Sequence, residues 1–174
     1  MVKRISSQIN VLSQLDYDAY LVHCRWMDYA LMLARTAGKL GEVPVGAVII
    51  DRQENIIAEA ANRKTRECDP TAHAEILAIR TATKTIQTPY LSDCTLYVTL
   101  EPCPMCAGAI IHSRLKLLVY GADDPKTGAI RTVTNLPNSY CSNHRLQVLA
   151  GIKEAACRQQ LQTWFARQRT KGDR

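Results

Sequence analysis

Thr95-Leu96-Tyr97-Val98-Thr99-Leu100-Glu101-Pro102-Cys103-Pro104-Met105-Cys106-Ala107-Gly108-Ala109-Ile110-Ile111-His112 reads as a strand that runs into a helix. Thr95 to Leu100 is built of β-branched, aromatic and apolar residues, which favour a strand. Ala107 to His112 is apolar almost all round, as a short buried helix is. Pro104 then falls near the first helical position, where its missing N–H costs nothing. Cys103 and Cys106 come out at the N-terminus of that helix, one turn apart and on one face. Unpaired N–H groups and the helix dipole at that end favour thiolate over thiol, and thiolate is the form that binds zinc.

Two ligands do not complete a site. Asp69-Pro70-Thr71-Ala72-His73-Ala74-Glu75 offers a third in His73, again at the start of a helix. Thr71 is the expected N-cap, because the apolar positions Ile76, Leu77 and Ile79 follow at helical spacing. One imidazole and two thiolates make the donor set of a catalytic zinc, whose fourth position is left to water. Glu75 stands two residues from His73, a spacing that turns the two side chains apart on a helix. It is therefore expected beside the metal as a proton carrier rather than on it. Cys141-Ser142-Asn143-His144 offers a rival: a Cys-x-x-His that completes a purely structural zinc site with Cys103 and Cys106.

Outward from this pair of helix starts, the chain alternates strands and helices. Val22, Trp26, Ala30, Leu33, Ala37 and Leu40 keep helical spacing, with Gly38 and Gly41 at the end of that helix. Trp26 is expected to anchor the core. Val45 to Ile50 and Ile56 to Ala61 form a hairpin around the turn Asp51-Arg52-Gln53-Glu54-Asn55. Leu117 to Tyr120 and Leu146 to Ala150 give further strands, and Ile152 to Phe165 gives a C-terminal amphipathic helix. The pattern indicates one α/β layered domain over residues 23–170, whose later strands are largely parallel. Residues 1–22 are expected to be a loosely ordered extension and 171–174 a tail.

The 174 residues suffice for one sizeable core, and 47% apolar with 22% charged content is ordinary for a soluble globular chain. No apolar run approaches the roughly 18 residues of a membrane span, and Met1 to Val22 has no continuous apolar segment of a secretory signal. Besides the two assigned to metal, Cys24, Cys68, Cys94, Cys141 and Cys157 have no paired spacing. Free buried thiols in a reducing cytoplasm are the expectation. The net charge is +6. Arg158, Arg167, Arg169, Lys171 and Arg174 against Asp173 place +4 of it in the last 17 residues, a cluster that suits a polyanion such as RNA or is a solvated helix face.

His-x-Glu followed by Pro-Cys-x-x-Cys is the signature of the zinc-dependent nucleobase deaminases. Pro44 to Val48, Asn62-Arg63, Asp69 to Glu75, Leu100 to Arg114 and Asn143-His144-Arg145 resemble the bacterial tRNA-specific adenosine deaminases of the cytidine/deoxycytidylate deaminase superfamily, over roughly Trp26 to Phe165. The resemblance implies a three-layer α/β/α cytidine-deaminase-like fold, with a five-stranded mixed sheet and helices on both faces. It implies one zinc per subunit on His73, Cys103 and Cys106, with Glu75 passing a proton from water to a purine ring nitrogen. The implied substrate is the wobble adenosine of a tRNA anticodon stem-loop, converted to inosine. Asn62, Val45, Ala74, Leu100, Asp124, Lys126 and Asn143 are placed around it, although Asn62 and Asn143 alone also read as ordinary turn residues. The implied assembly is a homodimer in contact near His112-Ser113-Arg114. Beyond Gly128 the run Ala129-Ile130-Arg131-Thr132-Val133 departs from the small-residue Gly-Ser-Leu of the family, and Ser139 stands where some members have histidine. Free cytosine, guanine or nucleotides are the alternative substrates.

Overall fold

A computed structural model describes residues 16–172. Its elements are α1 (Tyr17–Lys39), β1 (Gly46–Ile50), β2 (Ile56–Ala61), α2 (Ala74–Thr85), β3 (Thr95–Leu100), α3 (Pro104–His112), β4 (Leu117–Ala122), β5 (Gln147–Ala150) and α4 (Glu154–Gly172), with a short 3-10 turn at Leu136–Asn138. The strands lie in the order β2-β1-β3-β4-β5. β1 is antiparallel to both β2 and β3, whereas β3, β4 and β5 run parallel. Asp51 shapes the β1–β2 turn: its Oδ1 accepts from the N–H groups of Gln53 (2.8 Å) and Asn55 (2.9 Å).

Strand alternation divides the core between two faces. Ala47, Ile49, Leu96, Val98, Leu118 and Tyr120 pack with Ala74, Ala78, Ala107 and Ile110 of α2 and α3. Val48, Ile50, Tyr97 and Val119 pack with Trp26, Met27 and Ala30 of α1 and Cys157 of α4. All five residues of β1 are buried, which requires cover on both sides and accounts for its unbroken apolar run. The result is the expected three-layer α/β/α architecture on a five-stranded mixed sheet. Gly46 sits where a Cβ would come within 2.6 Å of the Ala34 backbone nitrogen, so glycine lets α1 approach the sheet closely.

Several boundaries differ from the sequence reading. α1 begins at Tyr17, five residues before Val22, because Asp16 caps it by accepting from Ala19 N–H at 2.7 Å. Residues 1–15 of the expected extension lie outside the described residues. α2 begins at Ala74 rather than at Thr71, whose backbone N–H and hydroxyl both donate to Asp69 in the preceding turn. Cys94 and Cys157 are buried as expected, but Cys68 and Cys141 are exposed. No described helix is long and apolar enough to cross a membrane.

β2, β3 and β4 all end at one edge of the sheet, and β1 begins there. Gly46 N–H donates to Thr99 Oγ1 at the end of β3 across 3.3 Å. The starts of α2 and α3 arrive at the same edge. Crevices beyond the carboxyl ends of parallel strands are the usual ligand sites of such sheets.

Candidate active site

His73 and Cys103 are the N-cap residues of α2 and α3, and neither makes a side-chain cap. Both side chains are thus free to turn towards each other across the sheet edge. His73 Nδ1 lies 3.7 Å from Cys103 Sγ and 3.5 Å from Cys106 Sγ. The three ligand atoms fall within 4.8 Å of one another, the one such group of three among the described residues. Tetrahedral zinc, with Zn–S near 2.3 Å and Zn–N near 2.0–2.1 Å, requires ligand separations of about 3.5–3.8 Å. The donor set and its spacing therefore fit that ion. Hydrogen bonding from Cys106, then from His73, holds the Cys103 thiol down to about 4, and the same contact pushes the Cys106 thiol up. One thiolate is thus stabilised before any cation is considered.

Glu75 occupies the first turn of α2, 4% exposed, and stands outside the three-ligand group. Burial pushes its carboxyl above the usual carboxylate range, against the opposing pull of its own backbone N–H and of His73. A carboxyl shifted in that direction exchanges a proton near neutral pH more readily than an ordinary one.

The expected substrate residues divide. Asn62, directly after β2, accepts from Ala74 N–H through Oδ1 at 2.9 Å. It caps α2 in place of Thr71. Val45 holds it, the Val45 carbonyl accepting from Asn62 N–H at 3.1 Å. Ala74 and Val45 are buried and Leu100 is half-buried at the end of β3. Asp124 builds the turn after β4: its Oδ1 accepts from Lys126 N–H (2.9 Å) and Thr127 N–H (3.2 Å), and its Oδ2 from the Thr127 hydroxyl (2.7 Å). Lys126 is exposed on that turn.

Asn143 is not brought to this edge. His144 beside it bonds the Leu115 carbonyl at 2.6 Å through Nε2, before β4 begins, and β5 pairs with β4 in parallel from Leu117 and Gln147. The segment therefore lies at the opposite edge, a strand length of roughly 20 Å away. The rival structural site with Cys141 and His144 fails for the same reason, and Cys141 is exposed against the Ser139 hydroxyl.

Sequence patterning alone gives Glu101 no role. It is 2% exposed and accepts from the N–H groups of Asp124 (3.1 Å), Ile130 (3.0 Å), Arg131 (2.8 Å) and Thr132 (3.0 Å), and from the Thr132 hydroxyl. Burial opposes its ionisation, yet these donors hold its carboxyl below the usual range. Gly128 passes so close that a Cβ there would meet Glu101 and lie 2.6 Å from the Asp124 carbonyl. The available signal is an acid between an apolar strand and Pro102-Cys103, a place where solvation is unavailable and a partner is required.

The model of the MafB19-like deaminase family matches residues 22–164. The tRNA-specific adenosine deaminase of Haemophilus influenzae is 52% identical over 145 residues, covering 83% of this chain and 84% of that one. The chain belongs to the tRNA-specific adenosine deaminase family. This deaminase is also similar in structure to a tRNA:A34 deaminase studied for A-to-I editing at the wobble position of transfer RNA. That match has a TM-score of 0.76 at 40% identity and covers 78% of this chain and 98% of the other. The guanine deaminase from Nitrosomonas europaea superposes with a TM-score of 0.69 at 29% identity, over 80% of this chain and 82% of that chain. His73, Cys103 and Cys106 are grouped, with Glu75 in the first turn of α2, in a chain of deaminase fold.

Proposed function

We propose that this deaminase hydrolyses the 6-amino group of adenosine at the wobble position of a tRNA anticodon, leaving inosine and ammonia, with one zinc on His73, Cys103 and Cys106. The observation that carries the reading is the 3.5–3.7 Å His73–Cys geometry beside the buried Glu75, in a chain 52% identical to a tRNA-specific adenosine deaminase. Zinc, when bound, supplies Lewis acidity and draws the pKa of water towards neutrality. Glu75 takes the proton from water and delivers it to the purine ring nitrogen while oxygen adds at C6. The same carboxylate then takes the proton of the hydroxyl added at C6 and gives it to the amino group, which leaves as ammonia as the C6–N bond breaks and the carbonyl forms. Asn62 spends its carbonyl oxygen on Ala74, so its amide N–H groups face the substrate as donors. Asp124 presents Lys126 towards phosphate by shaping the turn. An anticodon loop suits the site because its base is already unpaired and turns out at small cost.

A homodimer belongs to this reading. Asn143 matches a family position expected at the RNA, yet it sits a strand length from its own Glu75. An isologous contact through α3 and His112-Ser113-Arg114 would carry Asn143 to the partner's site. A cytoplasmic location accords with a tRNA substrate. The guanine deaminase likeness favours free guanine as the second reading.

Incubating the purified, zinc-loaded protein with bulk tRNA and sequencing for inosine tests the proposal. Inosine at the wobble position, with no ammonia from free guanine, cytosine or nucleotides, is the expected outcome. Ammonia from free guanine alone would replace the tRNA reading by the second one.

A further inference from the structure

The C-terminal half of α1 is flanked on both sides by clefts whose charge the catalytic chemistry does not use. Between α1 and α4 lies a groove of about 530 Å³, with Arg35, Lys39 and Arg167 on its walls and no acidic residue in its lining. Its walls are fastened together: Trp164 Nε1 donates to the Gly38 carbonyl at 3.2 Å and Gln160 Nε2 to the Leu31 carbonyl at 3.3 Å. On the other flank a smaller cleft of about 160 Å³ carries Arg63 and Arg66 and reaches Asn62 at the active edge. Its one acid, Glu59, accepts from the Tyr29 hydroxyl.

The loop bearing the second set of cations is built, not loose. Glu42, 2% exposed, accepts from the N–H groups of Thr65 (3.2 Å) and Arg66 (2.8 Å) and holds Lys64 and Arg66 outward. Arg35, Lys39, Lys64, Arg66 and Arg167 are all exposed, and none is ion-paired among the described residues. Five solvent-facing cations on a rigid support form a band that starts beside Asn62, crosses α1 and ends on α4. A helix is about 10 Å across, so cations on its two flanks match a ligand that extends along the surface.

We propose that this band binds the phosphate backbone of the anticodon stem, the paired RNA next to the loop that enters the site. The inference rests on the tRNA reading above. Regularly spaced phosphates are the ligand that a row of cations free of ion pairs matches, Glu59 being taken up by the Tyr29 hydroxyl, and such contacts set register without reading sequence. An acidic protein surface is the competing occupant.

The test uses the full chain carrying Arg35→Gln, Lys39→Gln and Arg167→Gln together, and separately Lys64→Gln with Arg66→Gln. The side chains are exposed, and an unchanged thermal midpoint confirms the fold. Affinity is measured against salt for two probes: the anticodon stem-loop hairpin, and the loop sequence alone as a single strand. On the hairpin, the slope of log affinity against log salt should fall by about 0.7–0.9 for each phosphate that is no longer neutralised. On the loop alone the drop should be far smaller. Hairpin slopes equal to wild type, or equal drops on both probes, would overturn the band. Wild type that forms no inosine in any tRNA would instead overturn the substrate reading, so the two failures are distinguishable.

Discussion

Glu75 separates proton movement from metal binding. It stands outside the His73, Cys103, Cys106 group yet is buried against it. Glu75→Gln keeps size and hydrogen-bonding capacity while removing the basic carboxylate. Zinc content and tRNA affinity should stay near wild type, and single-turnover deamination should fall by at least about 100- to 10,000-fold. Zinc loss measured on the variant would make Glu75 a ligand, and a wild-type rate would assign the proton to another group. At this scale the sequence is legible wherever chemistry fixes spacing. The Cys103–Cys106 and His73–Glu75 spacings each place a ligand at the N-cap and its companion in the first turn of a helix. Thr71 misleads because a local rule favours it, whereas Asn62, twelve residues before Ala74 and brought in by β2, supplies the cap. Long-range caps leave no trace in a linear reading.

Among the elements, the strands and helices are legible because their patterns are strong: β1 is apolar throughout, and Pro104 marks the start of α3. The loop after β4 is not, since its shape is dictated by Glu101 from another element. That carboxylate gathers four backbone N–H groups and the Thr132 hydroxyl. Glu101→Gln replaces one accepting oxygen with a donor that faces other donors. Unpaired buried donors cost about 1–3 kcal/mol each, so a destabilisation of about 2–3 kcal/mol is expected. Thermal denaturation measures it, and limited proteolysis within 123–134 should accelerate. An unchanged midpoint with unchanged cleavage would mean that the loop is held by other contacts.

For the molecule as a whole, the telling fact is that Asn143 and Glu75 occupy opposite edges of one sheet. If a second copy supplies Asn143, Glu75→Gln and Asn143→Ala chains should each be impaired alone and should complement when mixed. Half of randomly re-paired dimers carry one complete site of two, so roughly a quarter of wild-type activity should return. Light scattering should report a dimer at micromolar concentration. A monomer, or no recovery on mixing, would place Asn143 outside the reaction. No sequence pattern reveals such an arrangement, because which edge a loop reaches depends on strand order. The Glu101 carboxylate carries one more consequence. It grips backbone amides, which every residue but proline owns. Arg131, held by Glu101 through its backbone N–H, is thus free to change over evolutionary time while the loop keeps its course, whereas Thr132 is bound through its hydroxyl as well. A lineage can retune exposed side chains there without redesigning the scaffold, and Gly128 is where that licence stops.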